Sequence, residues 1–436
     1  MKIKIIRVIK SNGHAMLILL CINLLFSCGS GRDDSTLLYW SANDAQEVAF
    51  AKLVITAWNQ EHPQEQIRMQ PVPEGQSSEE IVLAAVVGKT TPDIYANMWQ
   101  GDVEFFANAG VLVPFDTLEG FLDFIYQRCD SALIKDITAR DGHIYQIPWK
   151  INPIMMIYNK KAIEEVGGIP KTYSEYLAAC KKYQKDNDGD GYVDQWFGYS
   201  DVRPIWHELR FNFYLLYLAA SDGAPLVENN KAVFNNKYAL EVFDFFRELY
   251  AQNYFSQERL TSGQDPFLTG KIATKFTGPW EIAHLNKFKP EEFDYAYAPV
   301  PVPDNHEGPV YTYGDPKNIV IFNTCKNPLL AWRFLKFVIS EENDLLFLKM
   351  SSQLPARKDL TVNPKFIEAF KENEKLAPFA EQARYIRGVD NNEVIKEIFD
   401  LISQEYQASV IYGVKSSEEA LRDAAKAVDL LFLNSK

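Results

Sequence analysis

Between Leu37 and Tyr95 the chain alternates short apolar runs with amphipathic stretches, and that order limits the folds open to it. Leu37-Leu38-Tyr39-Trp40 reads as a first strand. Ala45 to Glu61 follows with Val48, Leu53, Ile55 and Trp58 at helical spacing among polar residues. Ile67 to Val72 reads as a second strand, Ser78 to Val87 as a second helix capped by Ser77 or Ser78, and Asp93-Ile94-Tyr95 as a third strand. Strand–helix alternation of this kind predicts βαβ units and a mostly parallel sheet.

Farther along, helical periodicity dominates. It predicts helices over Ser174 to Lys185, Leu209 to Ala220, Tyr238 to Tyr250 and Leu329 to Ile339. Three more are predicted over Pro364 to Lys375, Glu393 to Ala408 and Ser417 to Leu433. Phe293 to Val302 reads as extended and proline-punctuated, and Ile319 to Asn323 as a strand. Trp58 and Trp332 fall inside helical periods and are expected in the core.

The first residues read as a targeting segment, not as part of the fold. Lys2, Lys4, Arg7 and Lys10 give a basic start, and Ala15 to Phe26 is apolar but for Asn23. Those twelve residues are too few to span a bilayer as a helix, which takes roughly 20, so residues 1–27 are expected to be a signal peptide. Leu25-Phe26-Ser27-Cys28-Gly29 resembles the lipobox of bacterial lipoproteins. By that resemblance Cys28 becomes the first mature residue and carries the lipid, and residues 28–36 form a flexible, lipid-anchored tether.

Removing four basic and no acidic residues leaves 41 basic against 58 acidic, a formal charge of −17. A surface so acidic repels nucleic-acid phosphate and anionic lipid headgroups, and a neutral ligand is compatible with it. Cys129, Cys180 and Cys325 remain beyond the anchor, at irregular spacing and odd in number, which is not a disulfide framework or a zinc ribbon. The core must hold the fold. At 47% apolar residues the chain can build one, in two or more lobes.

A series of motifs then appears in a familiar order. Thr91-Pro92-Asp93-Ile94-Tyr95 is followed by Asn108-Ala109-Gly110-Val111-Leu112-Val113-Pro114-Phe115-Asp116. Gly142-His143-Ile144-Tyr145-Gln146-Ile147-Pro148-Trp149 comes next, with Tyr158-Asn159-Lys160 and Gly168-Ile169-Pro170-Lys171-Thr172-Tyr173. Phe267-Leu268-Thr269-Gly270-Lys271-Ile272-Ala273 precedes Gly278-Pro279-Trp280, and Ala331 to Phe337 precedes Leu354-Pro355-Ala356-Arg357. In this order they resemble extracellular solute-binding protein family 1, the sugar-binding subunits of ABC importers, from about Leu37 to Lys436. Tyr311-Tyr313-Gly314-Asp315 is the least typical stretch.

The resemblance implies an α/β, two-lobed periplasmic-binding-protein fold of type II, maltose-binding-protein-like, with a hinge between lobes. The hinge strands would lie near Ile147 to Trp149, Pro299 to Pro303 and Glu342 to Leu348. One lobe would hold residues 37–148 with 300–345, the other 149–299 with 346–436. It also implies a monomer in the cell envelope, facing the periplasm or exterior. Its partners would be a carbohydrate, ABC transporter permease subunits and, through Cys28, a membrane; nucleic acid is not among them.

A sugar presents apolar C–H faces and a girdle of hydroxyls. Its site therefore needs flat aromatic rings together with polar groups, since burying an unpartnered hydroxyl costs about 2 kcal/mol or more. Trp40, Trp99, Trp149 and Trp280 stand at strand or hinge ends, where open α/β sheets bind ligands, and with Tyr313 they are the stacking candidates. The polar candidates are Asn43, Asp44, Asn97, Asp102, Lys150, Glu281, Asp315 and Arg357.

Asp186-Asn187-Asp188-Gly189-Asp190-Gly191-Tyr192-Val193-Asp194 has the start of an EF-hand-like loop. Asp186, Asp188, Asp190 and Asp194 would supply side-chain oxygens and Tyr192 its carbonyl, for a structural Ca2+, or the stretch is an empty Asp/Gly turn. Phe197 stands where a bidentate Glu belongs. No motif places a pair of carboxylates for glycoside hydrolysis, and no H-E-x-x-H, G-x-S-x-G or phosphate loop occurs, so an enzyme is not expected. The competing binding readings are a non-sugar solute and a surface glycan-binding or adhesive lipoprotein without a transport role.

Overall fold

Two sheets, one per lobe, organise the computed structural model, which describes residues 36–73, 77–260 and 264–434. The signal peptide, Cys28 and all of the tether but Thr36 lie outside those residues. The strands that matter are β1 (Thr36–Ser41), β2 (Gln66–Pro71), β3 (Ile94–Trp99), β4 (Ile147–Ile151), β5 (Met155–Asn159), β6 (Thr274–Thr277), β7 (Tyr295–Ala298), β8 (Lys317–Ile321) and β9 (Leu354–Pro355). The first sheet runs β9-β4-β8-β3-β1-β2, and the second runs β6-β5-β7.

Alternation along β1 builds two cores at once. Leu37 and Tyr39 face Phe50, Trp58, Ile67 and Ile94, while Leu38 and Trp40 face Val82, Tyr95 and Phe106. Helices therefore cover both sides, as a sheet buried on both faces requires. Ala45–Glu61 is capped by Asp44, whose carboxylate accepts from the Glu47 amide at 2.9 Å. Trp58 and Trp332 are buried in this lobe.

Within the first sheet, the parallel expectation holds only where β1 pairs with β2 and β3. Strands β4, β8 and β9 enter antiparallel: Ile321 opposite Ile94, Ile319 opposite Ile147, Leu354 opposite Ile151. Strand β8 returns to this sheet from the second lobe and runs against both β3 and β4, and β9 follows within the first lobe and runs against β4.

The second lobe is helix-rich. Phe213–Ala220, buried at every residue, packs with Lys237–Ala251, Ile395–Tyr406 and Ser417–Asn434. The single helix predicted over Leu209 to Ala220 is two, Trp206–Leu209 and Phe213–Ala220. Asn212 breaks it: its backbone is non-helical (φ −129°, ψ −92°), and its side chain accepts from the Phe213 amide. One Asn within an apolar run leaves the periodicity intact, so the break is invisible to it.

The chain crosses between lobes at Asn152-Pro153-Ile154, at Gly314-Asp315-Pro316 and after β9. The Asn152 amide donates to the Gly314 carbonyl (2.6 Å) and the Ile154 amide to Tyr313 (2.9 Å), stitching two crossings together. The expected hinge stretches lie elsewhere. Ile147 to Trp149 are interior to β4. Val300 and Val302 pack in the second lobe's core, with Val302 bridged to Thr172. Glu342 to Leu348 sit in the helix Glu341–Ser351, which packs on Ala45–Glu61 with Phe347 and Phe50 rings 5.2 Å apart. The prolines at 299–303 mark where pairing of β7 stops, whereas those at 153 and 316 stand where the chain changes lobe. Residues 300–313 thus pack with the second lobe and 341–355 with the first.

Candidate functional site

The carboxyl ends of β1, β3 and β4 and the start of β8 open on one edge of the first sheet, facing the second lobe. There a cavity of about 920 Å³ lies between the lobes. Asn43 and Asp44 follow β1, Asn97 ends β3, and Ser77 caps the helix Ser78–Gly88 through the Glu80 amide (3.1 Å). Across the gap stands the helix Trp280–Phe288, which turns Trp280, His284, Lys287 and Phe288 into the cavity. Trp280 lies over its own backbone because residue 278 is glycine: a Cβ there would come within 2.2 Å of the indole.

The floor is polar and buried. Lys150, from the end of β4, pairs with Glu47. Gln353 donates to the same Glu47 oxygen (2.8 Å) and accepts from Asn152 (2.9 Å). One hydrogen-bonded chain thus ties the capped helix to the first and third crossings. Burial pushes the Glu47 carboxyl up to about 7, against the opposing pull of Lys150. Glu47 Oε2 and Asn152 Oδ1 are buried and accept from no donor among the described residues. Beside them Asp315, Lys317 and Glu79 form a charged edge, with Lys317 Nζ 3.5 Å from Glu79 Oε1 and 4.0 Å from Asp315. Burial alone would raise Glu79, but Lys317 and Arg210 bring its carboxyl down to about 2.

Of the residues singled out from sequence, Asn43, Asp44, Asn97, Lys150, Trp280 and Asp315 line this cavity. Others do not. Trp40 packs edge-on against Tyr95, and Trp149 lies between Phe50 and Phe347 in the first lobe's core. Glu281 is turned back onto Lys275 (3.0 Å) and Thr277 (3.2 Å). Arg357 sits under the third crossing, paired with Asp344 (3.1 Å) and Asp359 (2.8 Å). Asp102 is buried and paired with Lys396 across the lobes at 2.5 Å.

Trp99 and Tyr313 meet at the interlobe contact beyond Asp315, where Trp99 Nε1 donates to the Tyr313 hydroxyl (2.9 Å). Glu47, Asn152, Gln353, His284 and Lys317 were not singled out. For His284 and Lys287 there was a signal, four and seven residues past Trp280 on one helical face. For Glu47 it was its place three residues past the capping Asp44.

The acidic loop is a tight turn held by its own carboxylates. Asp186 accepts from the amides of Gly189 (2.7 Å) and Gly191 (2.9 Å), and Asp194 from Asn187 (2.8 Å). Oxygens of Asp186, Asp188 and Asp194 lie within 4.8 Å of one another; Asp190 is not in that group and instead accepts from the Tyr192 amide (2.8 Å). Phe197 is fully buried in the core. A second cluster, Asp265, Glu281 and His284, already holds the ammonium of Lys275.

Two α/β lobes joined by short crossings, with a polar cavity under an aromatic wall between them, define a solute-binding protein. The architecture is that of the maltose-binding-protein-like periplasmic binding proteins. The chain belongs to the bacterial extracellular solute-binding protein family, whose pattern matches residues 54–378.

It is 26% identical to the maltotriose-binding protein of Pyrococcus abyssi over 71% of this chain and 63% of that protein, so the match spans under two thirds of the relative's length. It is 23% identical to the maltooligosaccharide ABC transporter solute-binding lipoprotein of Streptococcus pneumoniae, over 69% of each. Among solved structures, an uncharacterized protein of Listeria monocytogenes superposes with a TM-score of 0.77 at 29% identity, covering 91% of this chain and 99% of that one.

Proposed function

We propose that this chain is a lipid-anchored extracytoplasmic protein that captures a carbohydrate, an oligosaccharide, in the interlobe cavity and delivers it to the permease of an ABC importer. The observation that carries the reading is one cavity with the Trp280 indole on one wall and the polar side chains of Asn43, Asp44, Asn97, Lys150 and Gln353 around it. A sugar's hydroxyls need polar partners when buried, and its C–H face covers an indole. The names of the two curated relatives support sugar and importer, and the second supports the anchor, here Cys28. Both are binding proteins by name, and the reading is binding without catalysis. No helix among the described residues is long and apolar enough to cross a membrane.

The carboxylates of Asp186, Asp188 and Asp194 are hard oxygen donors that suit Ca2+, and we include a weak structural calcium site there.

A thermal-shift series on the purified protein tests the reading, with maltodextrins of two to seven glucose units, xylo- and chito-oligosaccharides, each with calcium or with chelator. A ligand at 100 times its dissociation constant adds about 2.7 kcal/mol to stability. A shift with one glycan class, with the sugar recovered intact, is the expected result; a folded protein that shifts with no sugar overturns the reading. Chelator is expected to lower the melting temperature of wild type and leave Asp186→Asn unchanged.

A further inference from the structure

Aromatic rings continue past the end of the cavity. Phe211 lies 6.5 Å from Trp280, and Tyr313 lies 6.2 Å from Phe211. Trp99 is hydrogen-bonded to Tyr313, and Trp206 stands 4.8 Å from Trp99. All of these rings but Phe211 carry a polar edge, and aromatic rings of that kind are what sugar units pack on. The cavity exposes only its Trp280 end.

Two cationic side chains stand over the remainder of the row: Arg210, and Lys396, whose ammonium is 5.8 Å from the Trp99 ring and 5.1 Å from Trp206. The guanidinium of Arg210 stands 4.8 Å from the Trp99 ring, 4.7 Å from Trp206, 5.6 Å from Phe211 and 5.8 Å from Tyr313. It donates to the Tyr313 hydroxyl at 3.2 Å and faces Asp315 Oδ1 at 3.6 Å. Trp99 is 1% exposed, and Tyr313 is 0%. A guanidinium is planar, stacks on aromatic faces and carries a fan of donors, so it satisfies the surface that a sugar ring would satisfy.

Local structure puts it there. Arg210 closes the short helix Trp206–Leu209 with helical backbone (φ −66°, ψ −28°), and the break at Asn212 follows it. Asp315 both lines the cavity and holds Arg210, so the open and covered halves of the row meet at this ion pair.

We propose that Arg210 is a specificity-determining residue that sets the length of the ligand: its guanidinium occupies the ring faces over Trp99 and Trp206, and a saccharide seated at Trp280 ends at Asp315. The proposal rests on the carbohydrate reading above. Its direct consequence is that removing the guanidinium lengthens the site and leaves the Trp280 end as it was.

The test is isothermal titration of the full chain, as wild type, Arg210→Ala and Arg210→Lys, with maltodextrins of two to seven glucose units and the matching xylo- and chito-oligosaccharide series. In wild type, affinity is expected to stop improving after the shortest members that fill the cavity. In Arg210→Ala the longer members should gain about tenfold over the shortest one, whose own affinity stays within about twofold. Arg210→Lys keeps a charge beside Asp315 without the planar guanidinium and should shift the profile the same way by less. It keeps the test decisive if Arg210→Ala does not fold. An unchanged length profile in a folded variant overturns the inference while the carbohydrate reading stands; no binding of any series by wild type overturns both.

Discussion

Trp280 lines the interlobe cavity, and Gly278 leaves room for its indole. Trp280→Ala should weaken sugar binding by about tenfold with little change in melting temperature, because the ring is only partly buried. Gly278→Ala puts a Cβ where the indole lies and should weaken binding in a protein that still melts cooperatively. Equal affinity in both variants would remove Trp280 from the site. Glu47 gives a pH signature. Its carboxyl titrates at about 7 in the folded chain against 4.5 ordinarily, so its contribution to stability is present below about pH 4.5 and lost as the pH rises through about 7. The stability advantage of wild type over Glu47→Gln should therefore shrink across that interval, measured by denaturant titration at each pH; an advantage that grows would contradict the burial argument.

Half of the site was legible at this scale. Asn43, Asp44, Asn97 and Trp280 sit at element ends that the sequence marks. Trp149 was misread because an aromatic at the end of a strand can face either the cleft or the sheet, and only pairing decides. In β4 it is Lys150 that takes the cleft.

Elements hold the site through capped and charge-tied ends. The helix Glu341–Ser351 carries Asp344, buried and paired with both Arg128 and Arg357. Asp344→Ala leaves Arg128 buried without its carboxylate and should cost about 3–5 kcal/mol, read as a lower denaturation midpoint. Asp44→Ala should cost about 1 kcal/mol by uncapping Ala45–Glu61, and it displaces the Asn43 turn from the cavity mouth, so affinity falls with stability. Helix positions were legible because their apolar periods are strong, as in Lys237–Ala251 and Ile395–Tyr406. The break at Asn212 was not, since it depends on one side chain capturing the Phe213 amide instead of continuing the turn.

At the scale of the whole molecule, the two lobes can move only where the crossings allow. The Glu47–Gln353–Asn152 chain spans two of them, so a sugar hydroxyl that engages Glu47 or Asn152 also acts on the hinge. Bound sugar should reduce the radius of gyration in solution scattering, and Gln353→Ala should weaken that compaction more than it weakens binding. The two-lobed plan was legible from the order of motifs; the crossing points were not, because they rest on which sheet captures each segment. That capture has a further result. Strand β8 lies between β3 and β4, so the first sheet has a gap in its middle until residues 317–321 take their place. A chain that emerges from its N-terminus cannot finish its first lobe until most of its length is out. Such a lobe stays threadable through a narrow channel for most of its synthesis, and it closes late, as residues 317–355 emerge.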